Sequence, residues 1–204
     1  MGRSEMKHEL EVEIIETDVL IIGGGAAGCY ASLELAKNKN IEVIIVDKAN
    51  IERSGCLAAG INALNAYIGP NETADGYVDY VSREFNGVVR EDLLKTIAEK
   101  LNEVTNRIEA LGLPILKDDA GDYVMRGKRS VKINGEQIKP ILARAVRDLE
   151  SVQVMSYVNI FEYLLDQNRV IGAVGYDFKK NIFVFINSKV TICATGGAGG
   201  IYKA

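Results

Sequence analysis

The residues with the plainest chemical use are glycines. Gly23, Gly24, Gly25, Ala26, Ala27 and Gly28 form a run in which Gly23, Gly25 and Gly28 keep the spacing G-x-G-x-x-G. In such a run the first glycine permits a tight turn, the second lets backbone amides approach a pyrophosphate, and the third lets a helix pack closely on a strand. The pyrophosphate of a dinucleotide would then lie at the positive end of the helix dipole. Asp47 follows at the spacing of an acid that accepts hydrogen bonds from ribose hydroxyls; its plainer reading is a solvated carboxylate at a strand end. Other reactive types are scarce. Cys29, Cys56 and Cys193 stand far apart and form no C-x-x-C pair, which points to no metal centre and to a reducing, cytoplasmic setting. The single histidine, His8, sits in a polar leader, so a histidine relay of acid, base or nucleophile is not expected in the rest of the chain.

These groups need a scaffold, and the hydrophobic pattern supplies one. Residues 17–22 (TDVLII) read as a buried strand, 26–37 as a helix opening from the glycines, and 41–46 (IEVIIV) as a second buried strand. Together they have the size of a βαβ unit. Residues 50–70 are rich in Gly, Ala and Asn and read as a long functional loop. Helices are expected over 74–84, over 90–111 with Leu94, Ile97, Leu101, Val104, Ile108 and Leu111 as its stripe, and over 138–149. Arg90, Glu91 and Asp92 put acids at the favourable start of the second, and Gly112 and Pro114 end it. From Val152 the period becomes two. Strands are expected at 152–155, 159–165, 170–176, 182–186 and 190–194, with turns at Gln167-Asn168 and Lys179-Lys180-Asn181. The fold class that follows is α/β: a Rossmann-like dinucleotide-binding domain with a central parallel sheet, helices and an inserted β-meander, taken as one domain over residues 1–204.

Bulk properties narrow the function. The chain has 204 residues, 48% of them hydrophobic, and a net charge of −4, so no strong field draws it to nucleic acid or to an anionic membrane. No apolar run reaches membrane-spanning length. Two features favour FAD over NAD. The small-residue loop from Arg53-Ser54-Gly55 to Asn62 suits an extended cofactor with an inward flavin. The distant Ala194-Thr195-Gly196-Gly197 turn would bring a returning strand to the same nucleotide; otherwise it is a simple strand-end turn.

Across these residues the chain resembles the fumarate reductase/succinate dehydrogenase flavoprotein superfamily, and within it the alpha chains of the adenylylsulfate reductases. The resemblance runs from about Thr17 to Tyr202 and rests on TDVLIIGGGAAG, RSGCLAAGINALNAYIG, VREDLLKTIAEKLNEVTNRIEALGLPI, KINGEQIKPILARAV and ICATGGAGGIY. Ile133-Asn134-Gly135-Glu136 separates this branch from the fumarate reductases. The resemblance implies FAD contacts at residues 23–27, Asp47, Lys48, Ser54, Gly55, Gly60, Asn62, Ala194, Thr195 and Gly196, with an adenine contact near Val158. Many fumarate reductases carry a flavin-linking histidine where this chain has Gly55, so noncovalent FAD is implied. Asn65 falls where the reductases have an active-site asparagine, able to hydrogen-bond a sulfate or carboxylate oxygen; its plainer use is a helix cap or turn amide. Cys56 lies near the flavin by the same matching and reads as a small packing residue. The resemblance further implies a partner, an iron–sulfur, ferredoxin-like beta subunit. The family's capping domain, C-terminal region and catalytic arginine and histidine have no counterpart among these residues, so the chain is expected to match the N-terminal part of such enzymes and not to turn over adenylylsulfate by itself. Fumarate or succinate chemistry, or a noncatalytic flavin-binding module, are the alternatives.

Overall fold

The computed structural model describes residues 11–66 and 68–197. In chain order its elements are β1 (Val12–Ile22), α1 (Ala26–Leu35), β2 (Val43–Asp47), β3 (Ala63–Asn65), α2 (Ala74–Glu84), α3 (Glu91–Ala98), α4 (Leu101–Ala110), β4 (Met125–Arg126), β5 (Ser130–Lys132), α5 (Ile138–Arg147), β6 (Val152–Ser156), β7 (Val158–Asp166), β8 (Arg169–Asp177) and β9 (Ile182–Cys193). Single 3-10 turns occupy Ile51–Arg53, Cys56–Ala59 and Gly135–Gln137. The chain divides into two compact units, one from Met1–Ala58 with Leu142–Ala204 and one from Ala59–Ile141.

The first unit is built on a six-stranded sheet in the order β6-β2-β1-β9-β8-β7. Strands β6, β2, β1 and β9 run parallel, and β9, β8 and β7 continue as an antiparallel meander. Every residue of β2 is buried, as are residues 19–22 of β1. Continuous apolar runs of this kind suit parallel strands covered on both faces. The core joins Leu20 and Ile22, Ile44 and Val46, and Met155 to Val158, Ala173, Ile182, Val184 and Ile186, so parallel strands and meander share one apolar cluster. The expected α/β architecture with its inserted meander is therefore present.

Two boundaries differ from expectation for a common reason. Residues 182–186 and 190–194 read as separate strands, yet β9 is one strand that pairs with β1 from Val12↔Phe183 to Ile22↔Cys193. The sequence pattern breaks at the polar residues Asn187, Ser188 and Lys189. In the sheet Ser188 Oγ lies 2.9 Å from Thr191 Oγ1, and Lys189 Nζ pairs with Asp18 Oδ1 at 2.6 Å. β1 likewise starts at Val12 rather than 17, because its first residues alternate between exposed and half-buried and carry a weaker apolar signal. The strand expected at 152–155 is β6, which pairs with β2 in the parallel part and stands outside the meander.

The second unit combines α2, α3 and α4 with a three-stranded antiparallel sheet, β3-β5-β4. The single helix expected over 90–111 is two helices that break at Glu99 and Lys100. The break lets Ala98 and Leu101 both enter a cluster with Tyr77, and it leaves Ile97, expected in the stripe, 52% exposed. Helix α4 also secures the preceding segment. Asn102 accepts from Ile68 N at 2.7 Å and donates to Ile68 O at 2.9 Å, while Thr105 Oγ1 donates to Ala66 O. Residues 50–70, expected as a loop, thus contain two 3-10 turns and β3.

Candidate functional site

In the first unit Gly23, Gly55, Tyr157 and Gly196 take positive φ near the C-terminal ends of the parallel strands, where open α/β sheets bind ligands. β1 ends at Ile22 and the chain turns at Gly23, whose φ is +108°. A Cβ on Gly23 would lie 2.4 Å from Ala194 O, so no other residue fits beneath the end of β9. Gly23 N donates to Val46 O and Ala194 N to Ile22 O, both at 2.8 Å. At the other end of the run, a Cβ on Gly28 would sit 1.9 Å from Gly23 O, which is the close helix–strand packing that the spacing predicts.

Between them the Gly24 peptide is held from both sides. Its N–H donates to Asp47 Oδ2 at 2.7 Å, and its carbonyl accepts from Ser54 Oγ at 3.2 Å and from Cys29 Sγ at 3.4 Å. Asp47 Oδ1 accepts from Ala49 N at 2.7 Å. Asp47 is buried, so its plainer reading as a solvated strand-end carboxylate does not apply. Gly25 is different: the nearest atom to a Cβ there is Gly55 Cα at 3.8 Å. Gly55 (φ +77°) is itself required, since its Cβ would come within 2.9 Å of Gly25 Cα. Gly196 and Gly197 have nothing within 4 Å of a Cβ. Helix α1 is capped by Gly25 without a side-chain acceptor and has no acid in its first turn. Its first N–H groups therefore offer an uncancelled positive end. Rigid glycines packed on protein atoms, open glycines at Gly25 and Gly196, and bare helix amides together suit an extended, doubly charged phosphate group.

The remaining expected positions fall beside this cradle or in the second unit. Lys48 follows Asp47 and is exposed. Val158 opens β7 and is buried; the preceding Tyr157 has φ +67° and donates from N to Ala49 O at 3.2 Å, which ties that corner to the end of β2. The first unit thus brings together residues 23–28, Asp47, Lys48, Ser54, Gly55, Val158, Ala194, Thr195 and Gly196. In the second unit, Gly60 has φ +78°, and Asn62 Oδ1 accepts from Arg126 Nη1 at 2.8 Å. Asn65 is exposed within β3, so it is neither a cap nor a turn amide.

Several contributors went unread in the sequence. Ser156 Oγ accepts from Ile51 N at 3.3 Å, and Asn50 Oδ1 accepts from Glu52 N at 3.0 Å while Glu52 pairs with Arg147. Asn50 carried a legible signal, an Asn two residues before a turn amide; Ser156 and Tyr157 carried none. Cys56, expected to pack, is exposed. Cys193 is also exposed, and hydrogen bonds from Thr195 and then Tyr163 hold its thiol below the usual cysteine range. His8 and residues 198–202 lie outside the described residues. Among the described residues no group of His, Cys, Asp and Glu could hold a metal ion, and no helix is long and apolar enough to cross a membrane.

The family model described as "FAD binding domain" matches residues 18–204. The chain belongs to the FAD binding domain family. It is 32% identical over 215 residues to the alpha subunit of the adenylylsulfate reductase of Megalodesulfovibrio gigas, covering 91% of this chain and 32% of that one. It is 27% identical to one of the chains of the fumarate reductase (CoM/CoB) of Methanothermobacter marburgensis, over 95% of this chain and 37% of that protein. The solved adenylylsulfate reductase of Archaeoglobus fulgidus superposes with a TM-score of 0.85 at 40% identity, over 93% of this chain and 32% of that chain. The chain therefore spans about a third of the length of these relatives. It is an FAD-binding domain related to those of adenylylsulfate reductase and fumarate reductase, and FAD is its cofactor.

Proposed function

We propose that this FAD binding domain is the cofactor-holding portion of a flavin-dependent oxidoreductase of the adenylylsulfate reductase type, which interconverts adenylylsulfate with AMP and sulfite. The observation that carries the proposal is the closure of Gly23 against Ala194, with the Gly24 peptide fixed between Asp47 and Ser54. Residues 23–28 receive the pyrophosphate on the open amides of α1. Asp47 orients the loop and accepts from the ribose with its remaining lone pairs. Lys48 and Val158 border the adenosine end, and Ser54, Gly55, Ala194, Thr195 and Gly196 flank the chain of the nucleotide. Gly60 and Asn62 contact the flavin end. Asn65 offers its carboxamide to a sulfate oxygen of the substrate. Bound FAD supplies the electron exchange, and the protein supplies position and charge stabilisation. Gly55 has no nucleophile, which supports noncovalent binding.

An iron–sulfur, ferredoxin-like beta subunit is the proposed redox partner; both named relatives are single chains of enzymes with more than one kind of subunit, which supports a multi-chain assembly. Three free cysteines support a cytoplasmic setting. The test is a visible spectrum of the purified chain before and after acid precipitation. A flavin spectrum that passes to the supernatant is expected. A colourless protein that FAD cannot reconstitute overturns the proposal. A fumarate or succinate enzyme is the second reading, favoured by the match to a fumarate reductase chain over 95% of this one.

A further inference from the structure

The three-stranded sheet of the second unit sets a row of polar side chains across its strands. Asn65 of β3 is the register partner of Ser130 of β5, and Ser130 is in turn the register partner of Arg126 of β4. Directly opposed residues of antiparallel strands place their side chains on one face. Asn65, Ser130 and Arg126 therefore share a face, and Lys132, two residues along β5 and opposite Ala63, joins it. The other face carries Leu64, Val131 and Met125, with Val131 fully buried. The polar face is thus the accessible one.

The charges on this hairpin are unequally neutralised. Arg129 pairs with Glu72 at 2.8 Å and stacks over the Tyr80 ring at 4.7 Å, and Lys128 lies 3.9 Å from the same Glu72. Arg126 has no ion pair among the described residues. Its hydrogen bond goes to the neutral carboxamide oxygen of Asn62, at 2.8 Å. Lys132 also makes no ion pair among the described residues. A guanidinium presents several N–H donors in a planar fork, and Asn62 engages only one nitrogen of it. The face therefore combines an unneutralised fork, a hydroxyl and a carboxamide, with the Lys132 ammonium adding to the local positive field. A fork of this kind matches two oxygens of a carboxylate or sulfate group.

We infer that Arg126, Ser130 and Asn65 form a recognition site for a small oxyanion, in which Arg126 selects the charge and Asn62 orients its guanidinium. The inference deepens the proposed function, because it takes Asn65 as a substrate-side residue, and it assigns the anionic group of the substrate to this face. Sulfate and carboxylate share the required chemistry, so sulfate and succinate are the two probes.

The experiment titrates each probe into the 204-residue chain, following the backbone amide signals of Asn65, Arg126 and Ser130 by NMR, with chloride at matched ionic strength as control. FAD content of the same sample is read from its visible spectrum. Saturable shifts confined to these residues are expected with at least one probe. Arg126→Gln is expected to weaken that binding by about ten-fold or more, as loss of a charge-assisted hydrogen bond implies; Arg126→Lys, which keeps the charge and loses the fork, falls between. Stronger response to sulfate assigns the site to a sulfur or phosphorus oxyanion, and stronger response to succinate assigns it to a carboxylate; both support the inference. A flavin-loaded chain in which neither probe shifts these signals, or in which chloride shifts them equally, overturns the inference and leaves the proposed function standing. A chain that binds the probe saturably and cannot hold FAD does the reverse. The wild-type titration decides the matter even where a variant does not fold.

Discussion

Asp47→Asn separates two uses of one carboxylate. In the structure Asp47 is 7% exposed, and its two oxygens accept from Gly24 N and Ala49 N, each at 2.7 Å. An asparagine keeps the volume but offers one oxygen and one NH2. Whichever way it turns, one of the two backbone N–H groups faces another donor. Loss of one hydrogen bond to a buried charged acceptor costs about 1.5–3 kcal/mol. For a chain of this size each kcal/mol moves Tm by about 2–4 °C, so a fall of roughly 3–12 °C is expected. Both bonds are internal to the protein, and the fall should therefore appear in the FAD-free chain. The assay is a thermal melt of apo wild type and apo variant by circular dichroism, beside FAD affinity by quenching of flavin fluorescence. Should the apo variant melt within about 1 °C of wild type while FAD affinity drops, Asp47 acts on the ribose alone and the clamp on the Gly24 peptide is refuted.

Gly28→Ala places a Cβ 1.9 Å from Gly23 O, which α1 can relieve only by moving off β1; a loss of about 1–3 kcal/mol in urea denaturation and poor FAD retention are expected, as overpacking of a tight site implies, and wild-type behaviour in both would contradict the packing described. Cys193 is held below the ordinary cysteine range by Thr195 and then Tyr163. Its reactive thiolate should thus persist to lower pH, and the rate of iodoacetamide labelling, followed site by site by mass spectrometry, should rise through a midpoint below that of an unperturbed cysteine. Tyr163→Phe should move that midpoint upward; a midpoint unchanged by the substitution speaks against the Tyr163 contact.

The parts of the fold that depend on local pattern were legible. Gly23, Gly25 and Gly28 specify turn, approach and packing over six positions; the structure sets a close atom against Gly23 and Gly28 and leaves Gly25 open. The βαβ unit around them followed from uninterrupted apolar runs. What escaped depends on partners that no local pattern announces. β9 looks broken at Ser188 and Lys189 because its polar side chains are matched by Thr191 and by Asp18 of another strand. Residues 90–111 keep a helical stripe throughout, and only packing around Tyr77 shows why the helix divides. β4 and β5 have two and three residues, too few for any period to register, so the alignment of Asn65 with Ser130 and Arg126 had no sequence signature. Asp47 was found as a candidate acid, but its grip on Gly24 and Ala49 depends on backbone geometry.

The pairing of β1 with β9 also governs when the site can exist. Gly23 is roofed by Ala194, and β1, paired on one edge with β2, finds its second parallel partner in the last strand described. During synthesis the glycine loop leaves the ribosome well before β9, and it lacks that roof until Ala194 has followed. Pairing across so long a loop is entropically late and slow. Loading of the nucleotide then waits on β9, and the waiting loop and the open edge of β1 define the interval in which a chaperone has work to do.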